Sequence, residues 1–317
     1  MKLSSEASMA HRPDDAIHPA AQSVVAFGET RVDQFRDRNV LGGAPFNVAC
    51  HLRALRAHPV LLTRAGKDEP GEQLQQAMSE RGLDRCGLQR DPARPTGGIK
   101  VTETEAGPVF DSLSNPAYEH IHAGLARMVG LLVHPEMVYF GTLSQRGESR
   151  RALRELVGAV DCRVFLDVNL CDPWVDADTL HWSLRHASVV KLNEAELARV
   201  SDLLALDGAS AEACASVLVA GFGLERVVVT CGAAGAWTLD AAGRIESVAG
   251  RTLPQLVDTA GAGDGFAAVF MLGTLRGWPL ADRLARADAF ARAVCQIRGA
   301  VPATQDFYLP FIREWQL

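Results

Sequence analysis

The sequence predicts an α/β fold in which a central, mostly parallel sheet lies between layers of helices, and three observations carry this prediction. Short apolar, β-branched runs alternate with segments of helical period along most of the chain. A chain of 317 residues can bury about 75% of its unfolded surface. The composition, with 28 glycines and only 6% aromatic residues, suits helices packed closely on a sheet.

The elements follow one another in an order typical of such a sheet. Strands are expected at residues 23–27, 60–65, 137–141, 163–168, 188–192 and 226–231. Helices are expected at residues 47–56, 71–81, 149–157, 195–203, 211–220, 265–276 and 280–296. We therefore assign residues 23–317 to one α/β domain. Residues 1–22, which lack the apolar centre of a signal peptide, are expected to form a disordered tail.

Two segments interrupt the alternation and predict a small β lid. Within residues 94–116, turn-forming Pro and Gly residues flank strand-like runs at 98–103 and 109–113. The other segment, residues 30–42, follows the first strand. Antiparallel pairing of strands from these two places would form a flap over the sheet edge.

Charge and cysteine content exclude several classes of function. Lys and Arg number 32 against 38 Asp and Glu, and a net charge of −6 without a basic stripe argues against nucleic-acid binding. No stretch approaches the ~18 uninterrupted apolar residues of a membrane span. The seven cysteines are scattered and never spaced C-x-x-C. Buried free thiols in a reducing cytoplasm are expected, rather than a zinc site or disulfides.

The segment 258–266, DTAGAGDGF, is the strongest indication of chemistry. Gly261, Ala262 and Gly263 stand at a helix start, where backbone N–H groups and the helix dipole can bind a phosphate. Asp264 would repel that phosphate, but as a general base it would take a proton from a hydroxyl beside the γ-phosphate. Taken alone, the segment leaves open that Asp264 only caps a helix.

This segment resembles the D-T-x-G-A-G-D-x-F signature of the PfkB (ribokinase-like) carbohydrate kinases. Residues 42–49, GGAPFNVA, are similar to the family's G-G-A-x-x-N-x-A motif. Gly28 and Glu29 with Asp33 resemble the G-E-x-x-x-D start of its fructokinase-like members. The resemblance spans about residues 24–302. It implies a ribokinase-like fold, with three layers and a small β lid, that uses ATP to phosphorylate a sugar hydroxyl.

The implied sugar site consists of Asp33, Gly42, Gly43 and Asn47. The two glycines would let a polyol approach the backbone, and the polar side chains supply the acceptors and donors that hydroxyl groups need. Singly, these residues indicate only a turn, a helix cap and a surface acid. Fructose, or a related ketose or acid sugar, is the first expectation for the substrate.

Two further motifs are similar to those that surround the nucleotide in the family. Residues 191–196, KLNEAE, resemble the N-x-x-E motif, although alone they indicate only a helix with an acidic first turn. Residues 230–235, TCGAAG, resemble a T-x-G-x-x-G turn, which by itself would be an ordinary hairpin. The resemblance implies that these residues bind the nucleotide: Lys191, Asn193, Thr230, Gly232 and Gly235.

The resemblance also implies metal ions. Mg²⁺ is expected near Asn193 and Glu196, with water between Glu196 and the ion. Family members often bind a monovalent cation as well, and Asp258 is the candidate for K⁺ here, with carbonyls near Gly299 and Ala300. ATP and Mg²⁺ are therefore the expected cofactors, and K⁺ is left open.

Two residues depart from the fructokinase-like pattern. In residues 167–171, DVNLC, Cys171 stands where D-x-N-x-R has arginine, and cysteine cannot replace a bidentate cation. Lys191 and Arg146 are the candidates to compensate. Arg31 stands where an apolar residue is usual and is expected to line an altered sugar pocket.

Two alternatives to a sugar kinase stay open. A nucleoside or other sugar-acid kinase of the same fold would want an aromatic platform, for which Phe46 and Phe110 are candidates. A non-catalytic sugar- or nucleotide-binding relative is suggested by Cys171. Motifs of serine hydrolases, zincins and P-loop proteins are absent from the sequence, and His51 is expected to be a structural residue inside a helix. A cytoplasmic enzyme is expected, with homodimerisation left open.

Overall fold

The structure is a computed structural model that describes residues 22–34, 39–104, 107–112, 114–170, 176–253 and 255–317. The predicted tail lies outside these residues except for Gln22, and so does Cys171.

Strands and helices alternate along the described residues much as the sequence predicts. The strands are β1 (Ser23–Phe27), β2 (Arg31–Gln34), β3 (Asn39–Gly42), β4 (His58–Gly66), β5 (Leu88–Asp91), β6 (Ile99–Thr104), β7 (Gly107–Ser112), β8 (Met137–Gly141), β9 (Arg163–Asp167), β10 (Val189–Asn193), β11 (Arg226–Thr230), β12 (Gly235–Asp240) and β13 (Ile245–Ala249). The helices are α1 (Ala44–Ala54), α2 (Glu69–Glu80), α3 (Ala123–Val133), α4 (Ser149–Val157), α5 (Ala177–His186), α6 (Glu194–Leu203), α7 (Ala211–Phe222), α8 (Ala262–Leu275), α9 (Leu280–Val294) and α10 (Leu309–Trp315).

The main sheet of the described residues has nine strands in the order β13-β12-β11-β10-β9-β8-β1-β4-β5. Neighbouring strands from β11 to β5 run parallel. The hairpin of β12 and β13 adds two antiparallel strands at one edge. The predicted fold class, a mostly parallel sheet between helices, is confirmed. Parallel strands end at the same edge of the sheet, and loops with polar side chains gather there.

Helices cover both faces of this sheet, and each face has its own apolar core. In β1, Val24 and Ala26 belong to one core, while Val25 and Phe27 belong to the other. Side chains of a strand alternate between the two faces, so a strand buried on both sides must be apolar throughout. Helices α1, α2, α8 and α9 contribute to the first core, and α3 to α7 contribute to the second.

A second sheet of four strands, in the order β3-β2-β6-β7, is built from the two segments that interrupt the alternation. Within it, β2 pairs with β3 and β6 pairs with β7 in antiparallel fashion. The two hairpins join through a parallel contact, Gln34 opposite Lys100, and here the expectation of antiparallel pairing was wrong. Strands β2 and β6 follow parallel strands of the main sheet, which accounts for their shared direction.

Several elements were not predicted. Helices α3, α5 and α10 and strands β5, β12 and β13 were missed. In α3 the apolar pattern is blurred because Leu125, Met128 and Leu132 are apolar and exposed. Helix α8 begins at Ala262, three residues before the predicted start, because its N-cap is Gly261. No helix in the described part of the chain is long and apolar enough to cross a membrane.

Candidate active site

The first turn of α8 lies at the carboxyl edge of the main sheet. Its N-cap is Gly261 with φ +76°, a left-handed conformation that glycine adopts without strain. Within the described residues, no side chain caps this helix. The first amides of a helix have no partner inside it, so this turn presents N–H donors and a positive dipole end to an anion, although the Ala262 N–H also donates to the Thr259 carbonyl oxygen over 3.3 Å.

Asp264 lies in this turn and is held by helix α1. The Asn47 side chain donates from Nδ2 to Asp264 Oδ2 over 2.7 Å. Removal of the carboxylate from water raises the pKa of Asp264 to about 7, and the charges of Asp167 and Glu29 act in the same direction. The Asn47 hydrogen bond and Lys191 oppose this rise in pKa. A carboxylate with a pKa near 7 is suited to general-base chemistry at neutral pH.

Helix α1 places Asn47 because its N-terminus fits tightly against Glu29 and Thr30, which follow β1. The N-cap Gly43 has φ +108°, and a Cβ there would lie 2.4 Å from the carbonyl oxygen of Glu29. Asn47 is buried, and its Oδ1 has no hydrogen-bond partner among the described residues. That oxygen is an acceptor beside Asp264, as a bound hydroxyl would require.

The other predicted sugar-site residues lie on the two-stranded edge that precedes α1. Gly42 ends β3 opposite Arg31 of β2, and Asp33 lies in β2 opposite Val40. Gly42 and Gly43 directly precede α1, the helix that contains Asn47. Phe46, a candidate aromatic platform, is instead buried in the first core. The side chain of Phe110 lies outside the described residues.

A second buried acid, Glu29, was not among the predicted site residues. Its backbone N–H donates to Ser144 Oγ over 2.8 Å, and the Ser144 hydroxyl donates in turn to Glu29 Oε2. Burial raises the pKa of Glu29, while Ser144 and Arg31 oppose that rise. The sequence signal was the G-E pair itself, which indicated a family but gave no reason to expect a buried carboxyl near Asp264.

A buried cation faces the first turn of α8. Lys191, in β10, donates to Asp167 Oδ1 over 2.6 Å, and Tyr139 donates to Asp167 Oδ2 over 3.1 Å. A Cβ on Gly263 would lie 3.3 Å from Lys191 Nζ, so the ammonium group is next to the predicted anion site. Burial is the largest single influence and lowers the pKa of Lys191, but the charge and hydrogen bond of Asp167, together with the charges of Glu196 and Asp264, outweigh it, so the pKa is raised. Asp167 and Tyr139 were not predicted as site residues.

Asn193 and Glu196 form a capping box at the start of α6. Asn193 Oδ1 accepts from the Glu196 N–H over 2.8 Å, and Glu196 Oε2 accepts from the Asn193 N–H over 2.8 Å. Burial raises the pKa of Glu196, and the charge of Asp167 adds to that effect. No group of three or more His, Cys, Asp or Glu residues in the described part of the chain could hold a metal ion. With both side chains engaged in the cap, a contact to Mg²⁺ through water fits them better than direct coordination.

One cavity of about 740 Å³ is lined by some of these residues, among them Asp167 and Glu196. The predicted Lys191, Asn193, Thr230, Gly232 and Gly235 all line it together with Gly263 and Asp264. It is also lined by Leu253 and Leu256 and by three residues of α9 and the turn after it that the sequence did not indicate: Asp288, Arg292 and Cys295. Arg292 donates from Nε to the buried Asp288 Oδ2 over 2.6 Å, so the lining includes an ion pair.

Asp258, at the other end of the signature segment, is engaged by backbone groups. Its Oδ1 accepts from the Ala260 N–H over 3.0 Å, and its Oδ2 accepts from the Gly299 N–H over 2.9 Å. These bonds hold the pKa of Asp258 below its usual value. The carboxylate therefore joins the signature segment to the segment at residues 299–300, and a role in binding K⁺ stays a prediction.

Comparisons with known proteins agree on the family. The model of the pfkB family of carbohydrate kinases matches residues 11–306. The chain is 28% identical over 311 residues to probable fructokinase-5 of Arabidopsis thaliana, which covers 88% of this chain and 93% of the relative. It is 28% identical over 290 residues to aminoimidazole riboside kinase of Salmonella typhimurium, which covers 85% of each. The crystal structure of fructokinase from Vibrio cholerae in its fructose-, ADP- and calcium-bound form has a TM-score of 0.75 at 22% identity, over 91% of this chain and 98% of that one.

Proposed function

The chain belongs to the pfkB family of carbohydrate kinases, and on that premise we propose that it transfers the γ-phosphoryl group of ATP to a hydroxyl of a sugar. Fructose or a related ketose or acid sugar is the proposed acceptor. One observation carries the proposal: a carboxylate with a pKa of about 7 lies in the first turn of a helix whose N-terminal amides face a buried cation. A base and an anion site within one turn are the two parts that phosphoryl transfer to a hydroxyl needs.

In the proposed reaction, the acceptor hydroxyl lies beside the Asp264 carboxylate. Asn47 holds that carboxylate through Nδ2, and its buried Oδ1 is available to accept from another hydroxyl of the substrate. The hydroxyl proton passes to the Asp264 carboxylate while the hydroxyl oxygen forms a bond to the γ-phosphorus. The bond from that phosphorus to the bridging oxygen breaks, and ADP leaves with the electron pair.

Charge on the transferred group is stabilised by the chain itself. The amides of Gly261, Ala262 and Gly263 are the proposed anion hole, and they need no basic surface. Lys191 is proposed to supply the cation that Cys171 cannot, because its ammonium group already lies beside Gly263. Asp167 and Tyr139 keep that ammonium group in place through the hydrogen bonds to Asp167.

The proposed nucleotide site is the cavity that begins at this anion hole. Thr230, Gly232 and Gly235 would approach the nucleotide, and Asn193 and Glu196 would contact Mg²⁺ through water. When bound, the metal would neutralise charge on the phosphates. K⁺ near Asp258 is a further proposal.

The acceptor side is proposed to close under the four-stranded sheet of β3, β2, β6 and β7. Asp33 and Gly42 belong to strands of this sheet, and Gly43 joins it to α1, so a movement of the sheet would carry Asp33 and Gly42 over a bound sugar. Closure would exclude water from the transferred phosphoryl group. We also propose a cytoplasmic location and a homodimer that pairs through these sheets.

A second acceptor class, the ribosides, is favoured by one of the relatives. The relative from Salmonella typhimurium is named aminoimidazole riboside kinase, and its match covers 85% of both chains. A nucleoside or riboside would place its sugar against Asn47 and Asp264 and its base under the four-stranded sheet. The proposed chemistry is the same for both classes.

A coupled ADP-release assay over a panel of ketoses, sugar acids and nucleosides, with and without K⁺, tests the proposal. We expect ADP release with at least one acceptor, and loss of that release in Asp264→Asn. Asp282→Asn, in the first turn of α9, is the matched control and should keep wild-type turnover. Binding of sugars and ATP without any ADP release would instead identify a non-catalytic relative.

A further inference from the structure

His51 lies one turn after Asn47 on α1 and is completely buried. Its Nδ1 lies 3.0 Å from Tyr308 Oη, and its Nε2 lies 3.1 Å from the carbonyl oxygen of Ala300. A carbonyl can only accept, so Nε2 must carry the proton and Nδ1 must accept from the tyrosine hydroxyl. The partners therefore specify one neutral tautomer, with both ring nitrogens satisfied.

The surroundings of the ring keep it in this state. Burial lowers the pKa of His51 to about 4, although the bond to Ala300 opposes that effect. Phe290 meets the ring edge-on at 5.2 Å between centroids. The imidazole is therefore neutral at physiological pH, and it acts as a fixed hydrogen-bond donor and not as a proton carrier.

The carbonyl that His51 holds belongs to the segment directly behind the proposed anion hole. A Cβ on Gly261 would lie 2.4 Å from Ala300 Cβ and 2.5 Å from its Cα, so the two backbones touch. The preceding residue, Gly299, donates its N–H to Asp258 Oδ2 over 2.9 Å. Residues 299–300 thus contact the signature segment at Asp258 and at Gly261.

We propose that His51 is a positioning residue for the anion hole: by holding the Ala300 carbonyl, it fixes the surface on which Gly261 rests at the start of α8. Asn47 holds Asp264 directly. Helix α1 then supports both the base and the anion hole, which fixes the position of one relative to the other. Tyr308, from the short helical turn Gln305–Tyr308 before α10, extends this support to the C-terminal segment. This inference rests on the proposed function.

The test compares two replacements of His51 that differ in one hydrogen bond. In His51→Gln, the side-chain amide nitrogen can reach the position of Nε2 and donate to Ala300, whereas His51→Leu removes the donor. We expect His51→Leu to lower kcat about 10- to 100-fold with the KM for the acceptor changed less than about threefold, because small misplacements of catalytic groups cost rates of this size. His51→Gln should stay within about threefold of wild type.

Tyr308→Phe separates catalysis from stability. It removes the bond to Nδ1 but keeps the Ala300 bond, so we expect a lower Tm with kcat nearly unchanged. If His51→Leu does not fold, His51→Asn takes its place, since its shorter amide can reach Tyr308 but not Ala300. Wild-type kcat in a folded Leu or Asn variant would overturn the inference, and so would a Gln variant as impaired as the Leu variant.

A binding measurement keeps this inference distinct from the proposed function. The anion hole would contact the γ-phosphoryl group, which ATP has and ADP lacks. By titration calorimetry, His51→Leu should therefore weaken the binding of ATP more than that of ADP, whereas a general loss of structure would weaken both. If wild type turns over no acceptor, the proposed function fails, and the ATP-to-ADP ratio of Kd values still decides the role of His51.

Discussion

The signature segment contains two aspartates, Asp258 and Asp264, whose pKa values are shifted in opposite directions. Asp258 receives a backbone N–H on each oxygen, which holds its pKa below the usual value. Asp264 receives one side-chain donor and is removed from water, so its pKa is raised to about 7. The number of donors and the access of water therefore decide that one carboxylate is a structural acceptor and the other a candidate base.

The largest effect is expected when Asp264, the proposed base, is replaced. Asp264→Asn keeps the shape of the side chain but removes the proton acceptor, and should lower kcat by about 10²- to 10⁴-fold. Asp258→Asn, in the same segment, should lower kcat less than about tenfold because it touches no reacting atom. Both are measured by coupled ADP release. Equal losses in the two variants would contradict the division of roles.

For the free energy of unfolding, the larger loss is expected at Asp258. Asp258→Asn replaces one acceptor oxygen by an NH₂ group that faces a backbone N–H, and should lower the free energy of unfolding by about 1–3 kcal/mol at pH 7. Since the folded pKa of Asp258 is depressed, its contribution is present above the unfolded pKa and is lost as pH falls through the folded pKa. Urea unfolding of wild type and variant at pH 7 and at pH 3 checks this, and the difference should shrink at the lower pH.

For Asp264 the pH dependence is reversed. Its folded pKa is raised, so its contribution is fully present below the unfolded pKa and is lost as pH rises through about 7. Asp264→Asn has no such loss, and should be more stable than wild type at pH 8. The gap should narrow at pH 5. A variant that is less stable than wild type at pH 8 in urea unfolding would speak against the raised pKa.

A smaller effect is expected in the pH dependence of the rate. The hydrogen bond from Asn47 lowers the pKa of Asp264, so its loss in Asn47→Ala should raise that pKa further. Because the base must be ionised, the acidic limb of the kcat/KM profile should move to higher pH. Profiles of wild type and variant between pH 5 and 9, at about the same ionic strength, make this comparison. An unchanged limb would mean that Asp264 does not govern it.

The smallest effect has the opposite sign. The charge of Glu29 raises the pKa of Asp264 less than burial and the charge of Asp167 do. Glu29→Gln removes that charge and keeps a partner for Ser144, so the acidic limb should move to lower pH by less than Asn47→Ala moves it upward. An unchanged limb in this variant would show that Glu29 is already protonated at neutral pH, and a shift upward would contradict the prediction.

Much of the fold follows from patterns that lie close together in the sequence. The five central strands were predicted within a few residues, because a strand buried on both faces is a short apolar run whatever surrounds it. Helix α3 was missed because its exposed leucines and methionine remove the difference between its two faces. The parallel contact between β2 and β6 was also missed. Pairing between hairpins that are distant in the sequence depends on where the main sheet positions them.

The candidate site divides in the same way. The residues of the signature segment and of the capping box were found because a helix start, its glycines and its acidic first turn are neighbours in the chain. Asp167, Tyr139 and Glu29 were not found, because no spacing relates a strand residue to a partner on another strand. His51 was expected to be only structural, and its contact with Ala300 spans 249 positions.

By itself, the sequence determined a parallel α/β sheet, a helix start able to bind an anion, and a carboxylate within that start. These are local properties, set by side-chain period, glycine conformations and the open amides of a first turn. The tertiary structure alone decided that the Asp264 carboxylate is buried with a raised pKa, that Lys191 lies beside the proposed anion site, and that Ala300 contacts Gly261. Hydration and donor distance set a pKa, and both arise from contacts such as Asn47 with Asp264, which lie 217 positions apart.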